Sequence, residues 1–424
     1  MSDTSKRRAR RTVARHGRLP APSPFARLMR VLGIGALCTV LAALGVAGYA
    51  AYDLSSTFAA DAVQLEGQDV SPPDIDQLVG EKGVDLLLTG IDICEWDSHE
   101  RFGDRCPSDR SAYGDDGRQL QDGLNDVNLL VHISPEPRKI TAIAFPRDLM
   151  IPTPECTNLE DGTVTPASDK RMINTAYAAG GLPCVAKTID TLTTPFDPEL
   201  AIDYAATVTW NGVIEITNAI GGVDVCVDQG INDVEAGMLY LEPGTHTLAG
   251  EQALAFLRSR HGVGDGGDLG RISNQQVYMS SLARKLMSEE VLTNPSTLLS
   301  LARTTVTNVD PSDQLSPVTL VQIAMAAKDV PLSDIVFLQY PVAADPYDPN
   351  RVVPDEFAVQ EMFAMIAANE SVDPADPATE TPAPTDTATP TDPSAPIATE
   401  TPDPELAAPG RTAEDTSCAQ GAGL

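Results

Sequence analysis

The segment NDVNLLVHISPEPRKITAIAFPRDL, residues 125–149, contains two short apolar runs, at 127–133 and 140–145, separated by a proline-rich turn. A third run of the same kind, VDLLLTGI, lies upstream at 84–91. Runs of this length with turn residues around them are typical of buried strands. The short connection at 134–139 favours antiparallel pairing of the second and third runs.

The connection between the first and second runs, residues 92–126, is polar and contains no convincing crossover helix. If this pair is also antiparallel, the three strands form an up-down-up meander. The meander would place Asp92, Asp126 and the Pro-Arg-Asp turn at 146–148 at one edge of the sheet. A loop this long inside a compact domain is usually functional or disordered. A charged loop that only solvates the sheet edge is the alternative.

Further arginines follow in the second half of the chain. The run GEQALAFL has helix-forming composition and leads into Arg258 and Arg260. If the helix ends near Arg258, both guanidinium groups project to the same side of an extended chain. The next helix is predicted to begin near Asp268, with Arg271 and Gln275 one turn apart. Guanidinium groups suit phosphate and pyrophosphate oxygens, although a surface ion pair explains any one of these arginines as readily.

An uncharged segment precedes all of these motifs. Val31 to Tyr52 are 22 residues without a charge, enough for a helix to cross a hydrocarbon core of ~30 Å. The preceding 30 residues hold nine Lys or Arg and one Asp, so the positive-inside rule predicts that this end stays in the cytoplasm. A secretory signal peptide cleaved near 59–62 is the alternative. We expect an uncleaved single-pass protein of the cell membrane with its large domain outside.

Charge is distributed unevenly along the chain. The net charge is −31, and the first 30 residues contribute +8, so the remainder carries −39. Nucleic acids bind to basic surfaces, because their phosphate backbones are negative. The acidic remainder therefore argues against a nucleic-acid partner.

The cysteines fit an exported domain. Six of the seven lie beyond the uncharged segment, where disulfides persist in an oxidising environment. Their spacings do not match a zinc site. We predict the disulfides Cys94–Cys106 and Cys156–Cys184, because each would close a loop between neighbouring elements. Cys226 lies in an apolar strand and is expected to be a free buried thiol, although sequence alone leaves the connectivity open.

Composition divides the chain into five regions. The last one contains ten prolines between residues 371 and 410 and is predicted to be disordered. The regions are a basic cytoplasmic segment (1–30), a transmembrane helix (31–52), an extracellular stalk (53–80), one α/β domain (81–367) and the tail (368–424). Helices at 182–193, 211–220 and 317–327 are rich enough in Val, Ile and Leu to line an apolar slot or to form an ordinary core.

Several motifs resemble, in order, those of the LytR-CpsA-Psr family. The resemblance covers about residues 84–290, and the PRD, RSR and D-x-G-R-x-x-x-Q pieces are highly specific in this order. The motifs are TGID (89–92), NDVNLLVHISPEPRKITAIAFPRDL (125–149), INTAYAAGG (173–181), NGVIEITNAIGGVDV (211–225), GEQALAFLRSRHG (250–262) and DLGRISNQQ (268–276).

The resemblance implies a three-layer α/β/α domain with a central mixed sheet and a polyprenyl-binding cleft. It also implies a Mg²⁺-dependent transfer of a glycopolymer from a polyprenyl-pyrophosphate carrier to a muramic acid hydroxyl of peptidoglycan. A polyprenyl-pyrophosphate phosphatase would use the same site with water as the acceptor. A non-catalytic wall protein that binds the lipid carrier is the third hypothesis.

The resemblance also assigns roles to individual residues. Asp92 and Asp126 correspond to the metal-associated carboxylates, and Asp126 or Asp148 would accept the proton of the attacking hydroxyl. The implied pyrophosphate clamp consists of Arg147, Arg258, Arg260 and Arg271, with Asp148, Asp268 and Gln275 as polar partners.

The sequence departs from the family pattern at four places, where the family has Arg, Arg-Ser, Arg and Lys. These positions hold Cys94, Leu124-Asn125, Asn274 and Met172. We expect that an arginine of the loop after Cys94 restores a guanidinium, the candidates being Arg101, Arg105 and Arg110.

Overall fold

The computed structural model describes residues 52–423 and ten residues between 25 and 49. The gaps lie at 61, 67–79, 81, 116, 121–122, 160, 265, 267, 293, 373 and 376–405. The chain forms two units, 1–53 and 54–424. The predicted transmembrane span at 31–52 falls mostly outside the described residues. Within the described part of the chain, no helix combines the length and apolarity that a membrane crossing requires.

An eight-stranded mixed sheet forms the centre of the second unit, in the order β13-β8-β1-β2-β3-β14-β18-β17. Its strands are β1 (Val84–Ile91), β2 (Asn125–Ile133), β3 (Ile140–Phe145), β8 (Tyr204–Val208), β13 (Val309–Pro311), β14 (Ile335–Gln339), β17 (Pro374–Ala375) and β18 (Leu406–Thr412). Short hairpins surround the sheet. They are built from β4 (Met150–Thr153), β5 (Cys156–Thr157), β6 (Val164–Thr165), β7 (Ser168–Met172), β9 (Val223–Val227), β10 (Ile231–Asp233), β11 (Leu239–Leu241), β12 (Gly244–Leu248), β15 (Val342–Ala344) and β16 (Val352–Pro354).

The predicted meander is confirmed. β1 pairs antiparallel with β2, with Leu87 opposite Leu130, and β2 pairs antiparallel with β3. Two parallel pairs flank it, because β8 joins β1 and β14 joins β3. Since β1, β3, β8 and β14 all run in the same direction, their carboxyl ends lie at one edge of the sheet. That edge carries the candidate site.

Helices cover both faces of the sheet. They are α1 (Ala176–Thr193), α2 (Trp210–Ala219), α3 (Gly250–Arg258), α4 (Asp268–Leu286), α5 (Glu289–Leu292), α6 (Pro295–Asn308), α7 (Pro317–Ala327) and α8 (Glu356–Ala367). Successive strand residues point to opposite faces. Leu87 and Leu130 therefore pack against α1 and α8, whereas Leu86 and Leu129 pack on the side of α4, α6 and α7. The result is the expected three-layer α/β/α arrangement with a central mixed sheet.

The predicted disulfides Cys94–Cys106 and Cys156–Cys184 are present. The expectation that Cys226 is a free thiol is wrong, because Cys226 forms a third disulfide with Cys418. This pairing spans 192 residues of sequence, so no local loop pattern could indicate it.

The predicted disorder of the tail is wrong for its last part. Residues 406–412 form β18, which pairs antiparallel with β14, and the residues up to 423 are described. The backbone N–H of Ala413 donates to the carbonyl of Ile335, and Ala408 and Ala413 are fully buried. The proline-rich residues 376–405 lie outside the described part of the chain.

Candidate active site

Two carboxylates and a guanidinium meet at the carboxyl-end edge of the sheet. Asp92 follows β1, and its Oδ1 accepts a hydrogen bond of 2.6 Å from the backbone N–H of Leu124. Asp126 lies near the start of β2, and its Oδ2 accepts a hydrogen bond of 3.2 Å from Nη1 of Arg147. Arg147 itself follows β3. The meander thus brings together the three sequence segments that were expected to converge.

The electrostatics of Asp92 reflect this convergence. Burial raises the pKa of the Asp92 carboxyl above its ordinary value, although the hydrogen bond from Leu124 opposes the shift. The neighbouring charge of Asp126 raises the pKa further, and Arg147 lowers it. Two carboxylates that share one electrostatic field favour a bound cation or a shared proton.

Asp148 lies near two arginines, Arg147 and Arg351. Its Oδ1 lies 2.7 Å from Nη1 of Arg351, and its Oδ2 lies 3.7 Å from Nε of Arg147. Arg351 lies in the loop between β15 and β16, far outside the recognised motifs. Asp148 and Asp126 are thus both paired with arginines, and Arg147 lies near both carboxylates.

The loop that contains the Cys94–Cys106 disulfide reaches Arg258 through aromatic rings. Cys94, Cys106 and Tyr113 form a small core of the loop, against which Phe102 and Trp210 pack. The rings of Phe102 and Trp210 are 5.1 Å apart. The Arg258 guanidinium carbon lies 4.3 Å from the centre of a Trp210 ring, a cation–π geometry. Trp210 begins α2, directly after β8, so it connects Arg258 with the edge that carries Asp92.

None of the three loop arginines proposed to restore a guanidinium is paired with these carboxylates. Arg101 donates to Asn211 and Glu215 on α2. Arg105 donates to the carbonyl of Glu235. Arg110 donates to the carbonyl of Tyr113 and lies over the ring of Trp96.

A fourth arginine of the same loop, Arg118, has a partly buried side chain. Its Nη2 is 2.6 Å from Oδ1 of Asp310 on β13. Burial raises the pKa of the Glu95 carboxyl above its ordinary value, and the positive charge of Arg118 partly opposes this shift. Glu95 accepts a hydrogen bond of 2.7 Å from Oγ1 of Thr209, which caps α2. Sequence reasoning missed Arg118, since only the folded loop brings it next to Asp310.

The second arginine group lies between α3 and α4. As predicted, α3 ends at Arg258 and α4 begins at Asp268. Nε of Arg260 is buried and has no hydrogen-bond acceptor among the described residues. Arg271 is buried in the first turn of α4. The side chain of Asp268 is not among those described.

Gln275 and Asn274 fasten α4 to α3. Nε2 of Gln275 donates to the carbonyl of Leu257 at 2.9 Å, and Nδ2 of Asn274 donates to the carbonyl of Phe256 at 2.7 Å. The Gln275 amide nitrogen therefore contributes to helix packing, which the sequence had not indicated. Asn274, which stands where the family has arginine, also serves this contact.

The carboxylates at this edge form a small set of possible metal ligands. In the described part of the chain, no group of three or more His, Cys, Asp or Glu side chains is placed to hold a metal ion. Mg²⁺ in phosphate chemistry is nevertheless bound by one or two carboxylates, with substrate oxygens and water completing the shell. Asp92 and Asp126 match that smaller donor set.

Known proteins share this sequence pattern. The chain is 27% identical over 232 residues to the cell wall biosynthesis protein LcpA of Corynebacterium glutamicum, covering 51% of this chain and 42% of that protein. It is 26% identical to biofilm regulatory protein A of Streptococcus mutans, covering 66% and 62%. It is 28% identical to polyisoprenyl-teichoic acid–peptidoglycan teichoic acid transferase TagV of Bacillus subtilis, covering 40% and 40%. The match thus spans less than two thirds of each relative.

The fold has a solved counterpart as well. The crystal structure of protein gbs0355 from Streptococcus agalactiae superimposes with a TM-score of 0.52 at 23% identity, over 71% of this chain and 92% of that one. At this identity the likeness establishes the fold alone. The sequence profile of the LytR_cpsA_psr family matches residues 56–366, which is most of the chain. The chain therefore belongs to the LytR-CpsA-Psr family.

Proposed function

We propose that this protein transfers a glycopolymer from a polyprenyl-pyrophosphate carrier to a muramic acid hydroxyl of peptidoglycan, forming a phosphodiester. One observation carries the proposal: Asp92, Asp126 and Arg147 lie together at one edge of the sheet. Trp210 connects Arg258 to the same edge. Relatives that are named as teichoic acid transferases acting on peptidoglycan support the reaction class.

The arginines would bind the pyrophosphate oxygens. Guanidinium groups donate in planar pairs that match phosphate geometry, and such charge-assisted hydrogen bonds are stronger than neutral ones. Arg260 supports this role most directly, because a buried Nε without an acceptor is unfavourable until a ligand supplies one. Arg258 is held over Trp210, so its side chain is already ordered before the ligand arrives.

In the proposed reaction the muramic acid oxygen attacks the phosphorus that carries the glycan. The new P–O bond forms as the bond to the bridging oxygen breaks, and polyprenyl phosphate leaves with that electron pair. Asp126 accepts the hydroxyl proton, and Arg147, 3.2 Å from it, stabilises the charge around the phosphate. Positioning and charge neutralisation of this kind are the main contributions that proteins make to phosphoryl transfer.

Mg²⁺ fits the carboxylate pair. Asp92 and Asp126 would hold the ion, since burial and the charge of Asp126 raise the pKa of Asp92 and a cation relieves that repulsion. When bound, Mg²⁺ supplies positive charge for the pyrophosphate oxygens. We therefore propose that the protein is a Mg²⁺-dependent phosphotransferase.

The helix α7 supports an apolar slot for the carrier chain. None of its residues is fully buried, although Leu320 and Ile323 pack partly against the core. Val318, Val321 and Met325 are exposed. Helix α1, by contrast, buries most of its apolar residues in the opposite core, which is what an ordinary core helix does. Of α1 and α7, α7 is therefore the better candidate for the slot.

The 22 uncharged residues at 31–52 and their basic flank support a single membrane-spanning anchor. The N-terminus would then be cytoplasmic and the catalytic domain extracellular. The three disulfides agree with an oxidising location, which is also where peptidoglycan is assembled.

Incubation with a short lipid-linked glycan, with and without peptidoglycan fragments, tests the proposal. A transferase releases polyprenyl phosphate and forms the glycan–peptidoglycan phosphodiester only when the acceptor is present. Release of polyprenyl phosphate without acceptor, at an undiminished rate, would identify a phosphatase. Binding of the donor with no release in either arm would identify a carrier-binding protein and overturn the proposal.

A further inference from the structure

One buried carboxylate, that of Asp233, lies at the centre of the arginine loop, which we define as residues 258–264. Asp233 ends the short strand β10 and is only 2% exposed. Its Oδ1 accepts hydrogen bonds from the backbone N–H groups of Glu235 and Ala236, at 3.1 and 3.0 Å. These two bonds fix the orientation of the carboxylate relative to the residues that follow it in the chain.

The other oxygen binds the arginine loop itself. Oδ2 accepts from Oγ of Ser259 and from the backbone N–H of Arg260, both at 2.8 Å. It also accepts from the N–H groups of His261 and Gly262, at 3.0 and 3.2 Å. Burial alone would raise the Asp233 pKa, but these hydrogen bonds outweigh it and the pKa lies below its ordinary value. The group is therefore an anion at neutral pH, and the loop from Ser259 to Gly262 curls around it.

Close packing at Gly262 also restricts the path of this loop. A Cβ at this position would lie 2.8 Å from Cγ2 of Ile231 and 3.0 Å from Cβ of Asp233. Any larger residue must therefore push the loop away from β10. Ser259 is completely buried, so the loop cannot shift without losing its contact with the carboxylate.

We infer that Asp233 is a positioning residue for the pyrophosphate clamp: it sets the backbone path that presents Arg258 and Arg260 to the ligand. This inference rests on the proposed function, because it requires that those arginines bind the pyrophosphate. Asp233 itself does not contact the ligand. Its effect passes through Ser259 and the backbone N–H groups of residues 260–262.

The test uses the full-length protein and farnesyl pyrophosphate as the probe, with the dissociation constant measured by calorimetry. In Asp233→Asn an amide N–H₂ would face the N–H groups of the loop, because Oδ1 must still accept from Glu235 and Ala236. We expect the dissociation constant to rise about tenfold or more, as for the loss of a charge-assisted hydrogen bond. Gly262→Ala displaces the loop without altering charge and should weaken binding in the same direction.

Two controls separate positioning from general damage. Asp190→Asn alters a partly buried carboxylate that also accepts a backbone N–H, that of Ile202, and should leave probe binding unchanged. In an Arg258→Ala, Arg260→Ala background, Asp233→Asn should weaken binding no further, because both arginines that Asp233 positions have been removed.

The outcomes are distinguishable. If the double arginine variant binds the probe as tightly as the wild type, the clamp and with it the proposed function fail. If the arginine variant loses binding but Asp233→Asn and Gly262→Ala keep it, the positioning inference alone is wrong. It is also wrong if Asp233→Asn weakens binding equally in the background that lacks Arg258 and Arg260. Should Asp233→Asn fail to fold, Gly262→Ala in both backgrounds decides the question.

Discussion

The disulfide between Cys226 and Cys418 joins β9 to the C-terminal segment, which we define as residues 413–423. Replacing both cysteines by alanine removes a cross-link between positions 192 residues apart. In the chain-entropy model a loop of this size stabilises the fold by ~5 kcal/mol, less any strain. We predict that, without it, the end of the chain separates from the arginine loop.

The remaining contacts explain this expectation. Six hydrogen bonds hold residues 419–423 in place. They are Ala419 N to Cys226 O, Asp228 N to Ala419 O, Gly264 N to Gln420 O, Ala422 N to Gly262 O, Gly423 N to Gly230 O and Gly421 N to Oδ1 of Asp228. At about 0.5–1.5 kcal/mol each they contribute roughly 3–9 kcal/mol. Ordering five residues of backbone costs roughly 5–10 kcal/mol. The two terms nearly cancel, so the disulfide decides whether the segment stays docked.

Hydrogen exchange measured by mass spectrometry on the peptide that contains residues 258–264 reports this directly. The amide of Gly264 donates to Gln420 and should lose protection in the Cys226→Ala, Cys418→Ala protein, while affinity for farnesyl pyrophosphate falls. The matched control removes Cys156 and Cys184, whose disulfide joins β5 to α1, and should leave this peptide protected. Unchanged exchange at 258–264 in the first variant would refute the reasoning.

Three further predictions concern other parts of the molecule. Trp210→Ala should weaken probe binding several-fold, because Arg258 loses a cation–π contact worth about 0.5–2 kcal/mol, whereas Trp210→Phe should retain most of the affinity; calorimetry measures both. Burial raises the pKa of Asp190 to about 6, so the fold favours its protonated form, and stability should fall as the pH rises from about 4 through 6. Asp190→Asn should remove that fall and stabilise the protein at pH 7.5, as measured by urea unfolding; an unaltered pH dependence would contradict the assignment. Protease added to intact cells should remove the domain and leave an N-terminal tag protected, whereas a secreted form beginning near residue 60 would exclude the anchor.

The sequence was sufficient to predict the three strands at the centre of the sheet. β1, β2 and β3 contain short apolar runs. The short turn at 134–139 indicated the antiparallel pairing of β2 with β3, and the lack of a crossover helix in residues 92–126 favoured the same pairing for β1 and β2. That pairing brings Asp92, Asp126 and Arg147 together without any further information. The end of α3 at Arg258 was equally readable, because a glycine-rich stretch follows it.

The remainder depends on long-range contacts that leave little trace in local patterns. β18 has the sequence LAAPGRT, which lacks strand periodicity and becomes a strand only because β14 offers an open edge. The pairing of Asp148 with Arg351 could not be foreseen, because the two residues are 203 positions apart in the sequence. Asp233 lies outside the quoted family motifs, and its role becomes visible only in the folded protein, where the loop after Arg258 surrounds it.

The most direct test of the central claim is the transfer reaction carried out in H₂¹⁸O with wild-type protein and Asp126→Asn. The wild type should form glycan–muramic acid phosphodiester free of ¹⁸O and release one polyprenyl phosphate for each product. Asp126→Asn should lose this transfer steeply while still binding farnesyl pyrophosphate. Incorporation of ¹⁸O into a released glycan phosphate, or full transfer by Asp126→Asn, would contradict the account.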